Sequence, residues 1–318
     1  MIDLFISTTT FTLSTEIKYL LKKNKISYRV NNLKRKLKPI ETLKLSSNCK
    51  YLIAGTENLD EIVKNNKRLQ FICRLGTGIE NVPIKELKKR KIILSCTPEG
   101  LSDAVSEFTL SSILNLLRKI NYFDQKIKKG IWKKELTKSI NESVVGVIGT
   151  GNIGSKVIEK IEKFNPSAIL VYDKKRSKSL QKKIKILKYV TLQKLLKFSD
   201  IVTIHVPLNK KTINILSLNE LGIMKDSAIL INSSRGGLVN EDDLFRYLRK
   251  NKNFYASFDT FEDEPYNGKL LKLKNFIATP HVASQTEIAR EKMEKSSILE
   301  IINFKRKLRL NNQIKLNK

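Results

Sequence analysis

The stretch SVVGVIGTGNIG, residues 143–154, decides the fold of this chain. Its apolar first half predicts a buried strand, Gly149, Gly151 and Gly154 follow, and a helical pattern begins directly after them. A lone GxGxxG pattern is a weak signal, because glycine-rich turns are common. Here the next apolar run, AILVYD, ends at Asp173, which lies 19 residues after Gly154. A strand, a glycine loop, a helix and a carboxylate at this spacing indicate a dinucleotide-binding βαβ unit.

Each part of this pattern has a physical task in binding a dinucleotide. Glycines let the backbone approach a pyrophosphate, and the helix N-terminus at Asn152 and Ile153 directs N–H groups at it. The Asp173 carboxylate accepts a hydrogen bond from a ribose 2′-hydroxyl and repels a 2′-phosphate. The sequence therefore predicts NAD rather than NADP, with the basic residues 174–176 as the one feature that favours NADP.

Short apolar runs alternate with longer amphipathic segments on both sides of the loop. The first series is DLFIS, YLIAG, QFICRLG and IILS, and the second is SVVGVIG, AILVYD, IVTIHVP, AILINSS, FYASFD and FIATP. This alternation is typical of parallel sheets with crossover helices. A long helical run after residue 100 separates the two series, and a last amphipathic helix begins near Ser284. We expect two doubly wound α/β domains, one formed by residues 1–100 and 284–318 and the other by residues 101–283.

Polar side chains follow three late strands of the second series. AILIN runs into Arg235, FYASFD leads to Glu264, and FIATP ends before His281. Ligands of open parallel sheets bind beyond the carboxyl ends of the strands. A guanidinium, a carboxylate and an imidazole there suit hydride transfer to a 2-oxo acid, which requires an anchor, a proton donor and a group that tunes the donor. The other histidine, His205, lies in a buried β-branched run and is expected to pack beside the cofactor.

These motifs resemble those of the D-isomer-specific 2-hydroxyacid dehydrogenases. GVIGTGNIG, INSSRGGLVNEDDL, FDTFEDEP and ATPHVASQT are similar, in order and spacing, to the family's dinucleotide, arginine, glutamate and histidine segments, and RLGTGIENV (74–82) resembles its substrate loop. The resemblance implies a Rossmann-type NAD domain, a flavodoxin-like substrate domain, NAD as cofactor, a small 2-hydroxy or 2-oxo acid as substrate, and a homodimer joined through the NAD domain. Within the family, RLGTGIEN is nearest to phosphoglycerate dehydrogenases.

The resemblance also implies roles for individual residues. Arg235 would hold the substrate carboxylate and carbonyl, His281 would be the acid/base catalyst, and Glu264 would pair with it. The backbone of Thr77 and Gly78 would receive the substrate carboxylate. The expected cofactor contacts, among which Asp259 would meet the nicotinamide carboxamide, are Gly149, Gly151, Asn152, Ile153, Gly154, Asp173, Val206, Pro207, Ser233, Arg235, Asp259 and His281.

The sequence does not determine which side chain the substrate acid carries. Arg74 is a candidate for a phosphate or another acidic group on the substrate, such as 3-phosphoglycerate, and it is equally well explained as a surface ion-pair partner. Glu80, Leu101 and Phe108 stand where the family usually or frequently has Asp, Asn and His. These departures leave the reaction class unchanged and the substrate undetermined.

The composition limits partners and location. Lys and Arg number 61 against 31 Asp and Glu, a formal net charge of +30 that favours a polyanionic partner. The lysines are nevertheless spread along the sequence, without a reading motif, so no specific nucleic acid is expected, and the basic tail 304–318 is interpreted as a solvated end. No run reaches the length of a membrane span, and no signal peptide or membrane partner is expected. Cys49, Cys73 and Cys96 lack metal-ligand spacing, so we expect no metal and a cytoplasmic location.

Two other classes of protein fit part of the sequence. Tyr122 and Lys126 match the YxxxK pair of short-chain dehydrogenases, but they precede the glycine loop, whereas that class has the pair far after it. A non-catalytic NAD-binding scaffold or transcriptional co-repressor fits the fold and the +30 charge. Such a scaffold would bind NADH and turn over no 2-oxo acid.

Overall fold

The computed structural model describes residues 2–316, and the chain divides into two compact units. Unit 1 consists of Met1–Leu101 and Thr286–Lys318, and unit 2 consists of Ser102–Gln285. The sequence predicts breaks after residues 100 and 283, and the structure has them after residues 101 and 285. Among residues 2–316, no helix combines the length and the apolar character that crossing a membrane requires.

Unit 1 is built on a five-stranded parallel sheet in the order β2-β1-β3-β4-β5, which is the strand order of flavodoxin-like folds. Its strands are β1 Leu4–Ile6, β2 Tyr28–Val30, β3 Tyr51–Ala54, β4 Phe71–Arg74 and β5 Ile93–Cys96. Its helices are α1 Thr15–Lys23, α2 Pro39–Leu45, α3 Asp60–Asn65, α4 Ile84–Arg90 and α12 Glu287–Lys305. Strands β1, β3 and β4 are buried along their whole length, because helices cover both faces of a parallel sheet.

The basic tail is docked on unit 1, so its interpretation as a solvated end is wrong. The Ile314 N–H donates to the carbonyl oxygen of Leu94 at 2.9 Å, and Ser95 forms an antiparallel bridge with Gln313. Ile314 also packs against the core of unit 1. The tail therefore adds a short antiparallel segment to the free edge of β5, where its alternating apolar residues find a surface that the sequence alone does not show.

Unit 2 contains a seven-stranded sheet in the order β12-β11-β10-β9-β6-β7-β8, which is the Rossmann order with one strand added. Every strand pair is parallel, and the predicted doubly wound α/β class is thereby confirmed. The strands are β6 Val144–Ile148, β7 Ala168–Tyr172, β8 Leu187–Tyr189, β9 Ile201–Ile204, β10 Ile229–Asn232, β11 Tyr255–Phe258 and β12 Phe276–Ala278. The helices are α5 Leu101–Leu117, α6 Ile120–Lys128, α7 Asn152–Glu162, α8 Lys178–Lys183, α9 Leu192–Phe198, α10 Leu218–Ile223 and α11 Glu241–Lys250, with single 3₁₀ turns at Ile140–Glu142 and Lys269–Lys272.

The strand order of unit 2 reverses at its centre, where β6 pairs with β7 on one side and with β9 on the other. Connections leave these two neighbours in opposite directions, so a crevice forms beyond their carboxyl ends. Apolar clusters fill both faces of the sheet, which holds the strand ends rigidly. The loops that follow β6, β7, β9, β10, β11 and β12 all leave from this same edge of unit 2.

Candidate active site

The glycine loop passes so close to its neighbours that two of its glycines cannot carry side chains. Gly149 has a φ of +97°, and a Cβ there would lie 2.6 Å from the carbonyl oxygen of His205. A Cβ on Gly154 would lie 2.0 Å from the carbonyl oxygen of Gly149. A Cβ on Gly151, by contrast, would meet no atom within 4 Å. The loop is thus packed from behind and leaves space in front of Gly151.

Helix α7 begins directly behind this open space. Gly151 is its N-cap residue with an extended backbone, and Asn152 and Ile153 form its first turn. The first N–H groups of a helix have no acceptor within the helix and carry the positive end of the helix dipole. The open cradle and these donors fit a pyrophosphate, so the residues present are those that a dinucleotide requires.

Asp173 is held in place by the loop itself. One of its carboxylate oxygens accepts hydrogen bonds from the N–H (2.6 Å) and the hydroxyl (2.8 Å) of Thr150, and the other accepts from the Lys175 N–H at 2.9 Å. Burial raises the pKa of this carboxyl, but the hydrogen bonds from Lys175 and Thr150 outweigh burial and lower it below the usual value. Asp173 is therefore a carboxylate at neutral pH. Sequence reasoning missed Thr150, whose place inside the glycine loop is the only signal for it.

The structure brings Glu264 and His281 together. Nδ1 of His281 lies 3.0 Å from Oε1 and 2.9 Å from Oε2 of Glu264. The Phe261 N–H donates to Oε1 of Glu264 at 3.2 Å and fixes the carboxylate from its own loop. His281 has a φ of +55°, a left-handed conformation that is uncommon outside glycine and typical of functional sites when the surroundings enforce it.

Asp259 enforces the conformation of the histidine loop. Its carboxylate is 1% exposed and accepts hydrogen bonds from the Val282 N–H, the Ala283 N–H (both 2.8 Å) and the Thr279 hydroxyl (2.6 Å). Burial has the largest effect on the pKa of Asp259 and raises it, while these three hydrogen bonds oppose the increase. Donors from both sides of His281 thus converge on one carboxylate at the end of β11. Sequence reasoning assigned Asp259 only to the cofactor and missed Thr279.

Arg235 lies on the loop after β10, beside the segment that carries Glu264. The side-chain amide of Asn232 donates to the carbonyl oxygen of Arg235 at 2.8 Å. A Cβ on Gly236 would lie 1.9 Å from the carbonyl carbon of Phe261, so the arginine and glutamate segments are in backbone contact. The guanidinium, the carboxylate and the imidazole are all held on the carboxyl edge of one sheet.

The remaining predicted cofactor residues of unit 2 lie on the same edge. The hydroxyls of Ser233 and Thr109 are 2.8 Å apart and join the end of β10 to α5. The Ser234 hydroxyl donates to the carbonyl oxygen of Val206 at 2.9 Å and joins the end of β10 to the end of β9. Pro207 follows Val206 and is exposed.

His205 is a buried neutral side chain. Its Nε2 lies 2.9 Å from the Thr203 hydroxyl, and its Nδ1 has no hydrogen-bond partner among residues 2–316. Burial lowers the pKa of His205 to about 3. Its backbone and Cβ pack against Gly149 and Gly154, as a residue that shapes the loop does. At neutral pH this imidazole is therefore uncharged, so it is not the imidazolium that protonation of a carbonyl oxygen requires.

The substrate-loop residues belong to unit 1, at the carboxyl end of β4. Arg74 is 8% exposed, and its Nη1 donates to the carbonyl oxygen of Leu75. Arg74 is therefore a buried side chain and not the surface residue that the ion-pair interpretation places there. Thr77 is exposed and Gly78 is buried, after a turn at Gly76 with a φ of +109°.

Other candidate groups form no site. Within residues 2–316, no group of three or more His, Cys, Asp or Glu side chains is arranged to hold a metal ion. The Tyr122 hydroxyl donates to Glu135 at 2.7 Å, and the Lys126 ammonium lies 5.4 Å from the Tyr122 ring centre. This pair sits on α6, which has no buried residue, and not among the loops at the carboxyl edge.

Comparisons with known proteins agree on one family. Residues 110–283 match the model of the D-isomer specific 2-hydroxyacid dehydrogenase, NAD binding domain. A glyoxylate reductase of Thermococcus litoralis is 34% identical over 260 residues, 78% of each chain. A D-3-phosphoglycerate dehydrogenase of Methanocaldococcus jannaschii is 32% identical over 241 residues, 75% of this chain and 46% of that protein. A solved 2-hydroxyacid dehydrogenase from a Polaromonas species has a TM-score of 0.86 at 26% identity, over 99% of this chain and 100% of that one.

The chain therefore belongs to the D-isomer specific 2-hydroxyacid dehydrogenase family. It is an oxidoreductase that transfers a hydride between NAD(H) and a 2-hydroxy or 2-oxo acid, and unit 2 is its NAD-binding domain. The predictions of family, enzyme class and cofactor are confirmed.

Proposed function

We propose that the enzyme reduces a small 2-oxo acid with NADH, and that His281 is the proton donor, Glu264 its partner and Arg235 the substrate anchor. The contact between Glu264 and Nδ1 of His281, at 2.9 and 3.0 Å, carries this proposal. It occupies Nδ1 and leaves Nε2 as the ring nitrogen for the substrate.

The chain's own residues would handle the proton and the charge. NADH supplies a hydride when it is bound. Nε2 of protonated His281 donates to the carbonyl oxygen, and the Glu264 carboxylate holds the ring in the orientation that this requires. The Arg235 guanidinium pairs with the substrate carboxylate and stabilises negative charge that develops on the carbonyl oxygen. In the oxidation direction neutral His281 accepts the proton from the hydroxyl.

The proposed cofactor contacts follow from the loop geometry. The pyrophosphate would lie in front of Gly151 on the N–H groups of Asn152 and Ile153, and Asp173 would accept from the adenosine ribose. Asp173 is already engaged by Thr150, which supports an orientation fixed before the cofactor arrives. The contacts at Val206, Pro207, Ser233 and Asp259 and the substrate contacts at Thr77 and Gly78 stay predictions.

For the substrate we propose a short, unphosphorylated 2-oxo acid of the size of glyoxylate. The burial of Arg74 supports this choice, because a side chain that is 8% exposed and donates to Leu75 is engaged in positioning the loop. A second candidate is the 2-oxo acid derived from 3-phosphoglycerate, which is supported by the presence of an arginine in the motif RLGTGIEN.

Initial rates of NADH oxidation with glyoxylate, hydroxypyruvate, pyruvate and 3-phosphohydroxypyruvate test both candidates. We expect the highest kcat/KM with glyoxylate or hydroxypyruvate. A preference of tenfold or more for the phosphorylated acid would establish the second candidate instead. NADH binding without turnover of any acid would establish the non-catalytic scaffold.

We also propose a homodimer formed through unit 2. Helix α6 has no buried residue, and Ile120, Ile127, Trp132 and Leu136 are 50–97% exposed along α6 and the segment after it. Contiguous exposed apolar side chains are typical of interfaces. Light scattering on the eluting protein should give twice the mass of one chain, and a Trp132→Glu, Leu136→Lys variant should give the mass of one chain. A single-chain mass for the unmodified protein would contradict the dimer.

A reducing compartment such as the cytoplasm is also proposed. The three cysteines are free, and burial raises the pKa of the Cys49 thiol to about 12. A thiol that stays protonated is a poor nucleophile. If the thiols are alkylated under denaturing conditions at the moment of cell lysis, the mass of the isolated chain should show all three cysteines alkylated, which identifies them as reduced in the cell.

A further inference from the structure

The helices of unit 1 share a charge pattern that the fold concentrates at one edge. Each begins with a carboxylate in its first turn and ends with a cation in its last turn. The pairs are Glu16 and Lys22–Lys23 in α1, Glu41 and Lys44 in α2, Asp60–Glu61 and Lys64 in α3, Glu86 and Lys88–Arg90 in α4, and Glu287 and Lys305 in α12. Helices that connect parallel strands end where the next strand begins. Cations that look dispersed in sequence therefore gather at the amino edge of the sheet.

A groove of about 770 Å³ opens at this edge. Tyr51, Gln70 and Ile93 line it from the beginnings of β3, β4 and β5, and Phe304 lines it from the end of α12. The docked tail, residues 305–315, forms its other side. The substrate loop follows the carboxyl end of β4, so the groove lies at the opposite edge of the same sheet. Its volume is in the range of pockets that bind small molecules.

The groove carries four cations and no carboxylate among the residues that line it. These are Lys305, Lys307, Arg309 and Lys315. The Lys305 ammonium donates to the carbonyl oxygen of Asn24 at 2.6 Å, which joins the ends of α12 and α1. The other three are exposed and make no ion pair within the described part of the chain.

The backbone that carries these cations is fixed before any ligand binds. The Leu308 N–H donates to the Asn303 carbonyl at 2.8 Å, and Lys307 is left-handed with a φ of +56°, as in the motif that ends many helices. Further along, the Asn311 N–H donates to the buried carboxylate of Glu300 at 2.8 Å. Side chains on an anchored backbone lose less entropy on binding than those on a free tail.

We propose that this groove binds a small ligand with several phosphate groups. The three exposed cations, which make no ion pair with residues 2–316, suit an anion that carries several charges, and Arg and Lys are the side chains that proteins use for phosphate. The site is separate from the dinucleotide loop, which lies in unit 2, and the proposal goes beyond the dehydrogenase activity. It assigns a binding role to part of the +30 charge.

Isothermal titration with inorganic tripolyphosphate tests the proposal. The protein is kept saturated with NADH at about 0.15 M salt, so that the pyrophosphate site is occupied and exposed charges are screened. We expect one saturable site per chain. A Lys307→Gln, Arg309→Gln variant should bind at least about tenfold more weakly, because two charge-assisted contacts are lost. The dehydrogenase activity of this variant should be unchanged, and that result would show that the variant is folded.

A Lys18→Gln, Lys85→Gln variant is the matched control, since it removes the same charge from exposed positions of unit 1 that do not line the groove. It should keep the affinity of the unmodified protein within about twofold. Equal weakening in both variants would mean that only the overall charge matters and would overturn the proposal. Absence of tripolyphosphate binding would overturn it too, and so would binding confined to a single-stranded oligonucleotide.

Discussion

Acid should destabilise this enzyme through His205, a side chain outside the proposed chemistry. The imidazole is buried, its Nε2 is paired with the Thr203 hydroxyl, and burial lowers its pKa from 6.5 to about 3. The unfolded chain therefore binds a proton more tightly than the folded chain does. Stability from neutral His205 is fully present above pH 6.5 and is lost progressively as the pH falls from 6.5 towards 3.

The size of the effect at pH 5.0 depends mainly on the ordinary pKa of 6.5. At pH 5.0 the ordinary pKa lies about 1.5 units above the pH, and each unit corresponds to about 1.36 kcal/mol. Protonation therefore stabilises the unfolded state, and the free energy of unfolding falls by about 2 kcal/mol relative to pH 7.5. A folded-state pKa one unit higher than about 3 would change this loss by only about 0.05 kcal/mol. The prediction is therefore insensitive to the depth of the shift.

Urea unfolding at pH 7.5 and pH 5.0 measures this loss, and His205→Gln removes it. Carboxylates also make both proteins less stable in acid. The unmodified protein should therefore lose about 2 kcal/mol more unfolding free energy between pH 7.5 and pH 5.0 than His205→Gln does. The only other histidine is His281. As a control for it, the single variant His281→Gln is compared with the double variant His205→Gln, His281→Gln, and the acid-induced losses of these two proteins should differ by the same amount. If the unmodified protein and His205→Gln lose equal stability, His205 protonates in the folded state and the burial argument is refuted.

The other predictions concern the site itself. His281→Ala should lower kcat for reduction by at least about a hundredfold, and Glu264→Gln should lower it less; retention of most turnover by His281→Ala would remove His281 from the chemistry. Asp173→Ser should raise the Kd for NADH and lower that for NADPH, as measured by fluorescence titration, and an unchanged ratio would count against the ribose contact. Gly154→Ala should lower the free energy of unfolding by about 1–3 kcal/mol, whereas Gly151→Ala, which meets open space, should weaken NADH binding at unchanged stability.

The sequence predicts the architecture because local patterns encode it. The apolar run before Gly149, the three glycines and the spacing to Asp173 are all contained in about thirty residues, and a βαβ unit has nearly one geometry. The parallel pairing of the strands follows from the same alternation of short apolar runs and helices. The docking of the tail does not follow from local patterns, because it depends on a vacant edge at β5 that is more than 200 residues away in sequence, as the contact between Ile314 and Leu94 shows.

The residues that position the reactive groups are harder to predict than the reactive groups themselves, because their contacts also join parts of the chain that are distant in sequence. Arg235, Glu264 and His281 stand out because polar residues after apolar strands are unusual, and their place at one edge follows from parallel strands. Nothing in the composition of FDTFEDEP distinguishes the carboxylate that orients a loop from the one that pairs with an imidazole. That distinction comes from Asp259, which collects two backbone N–H groups and a hydroxyl from the next strand's loop. Because backbone donors are the same at every residue, the partners of such a carboxylate become visible only when the chain is folded.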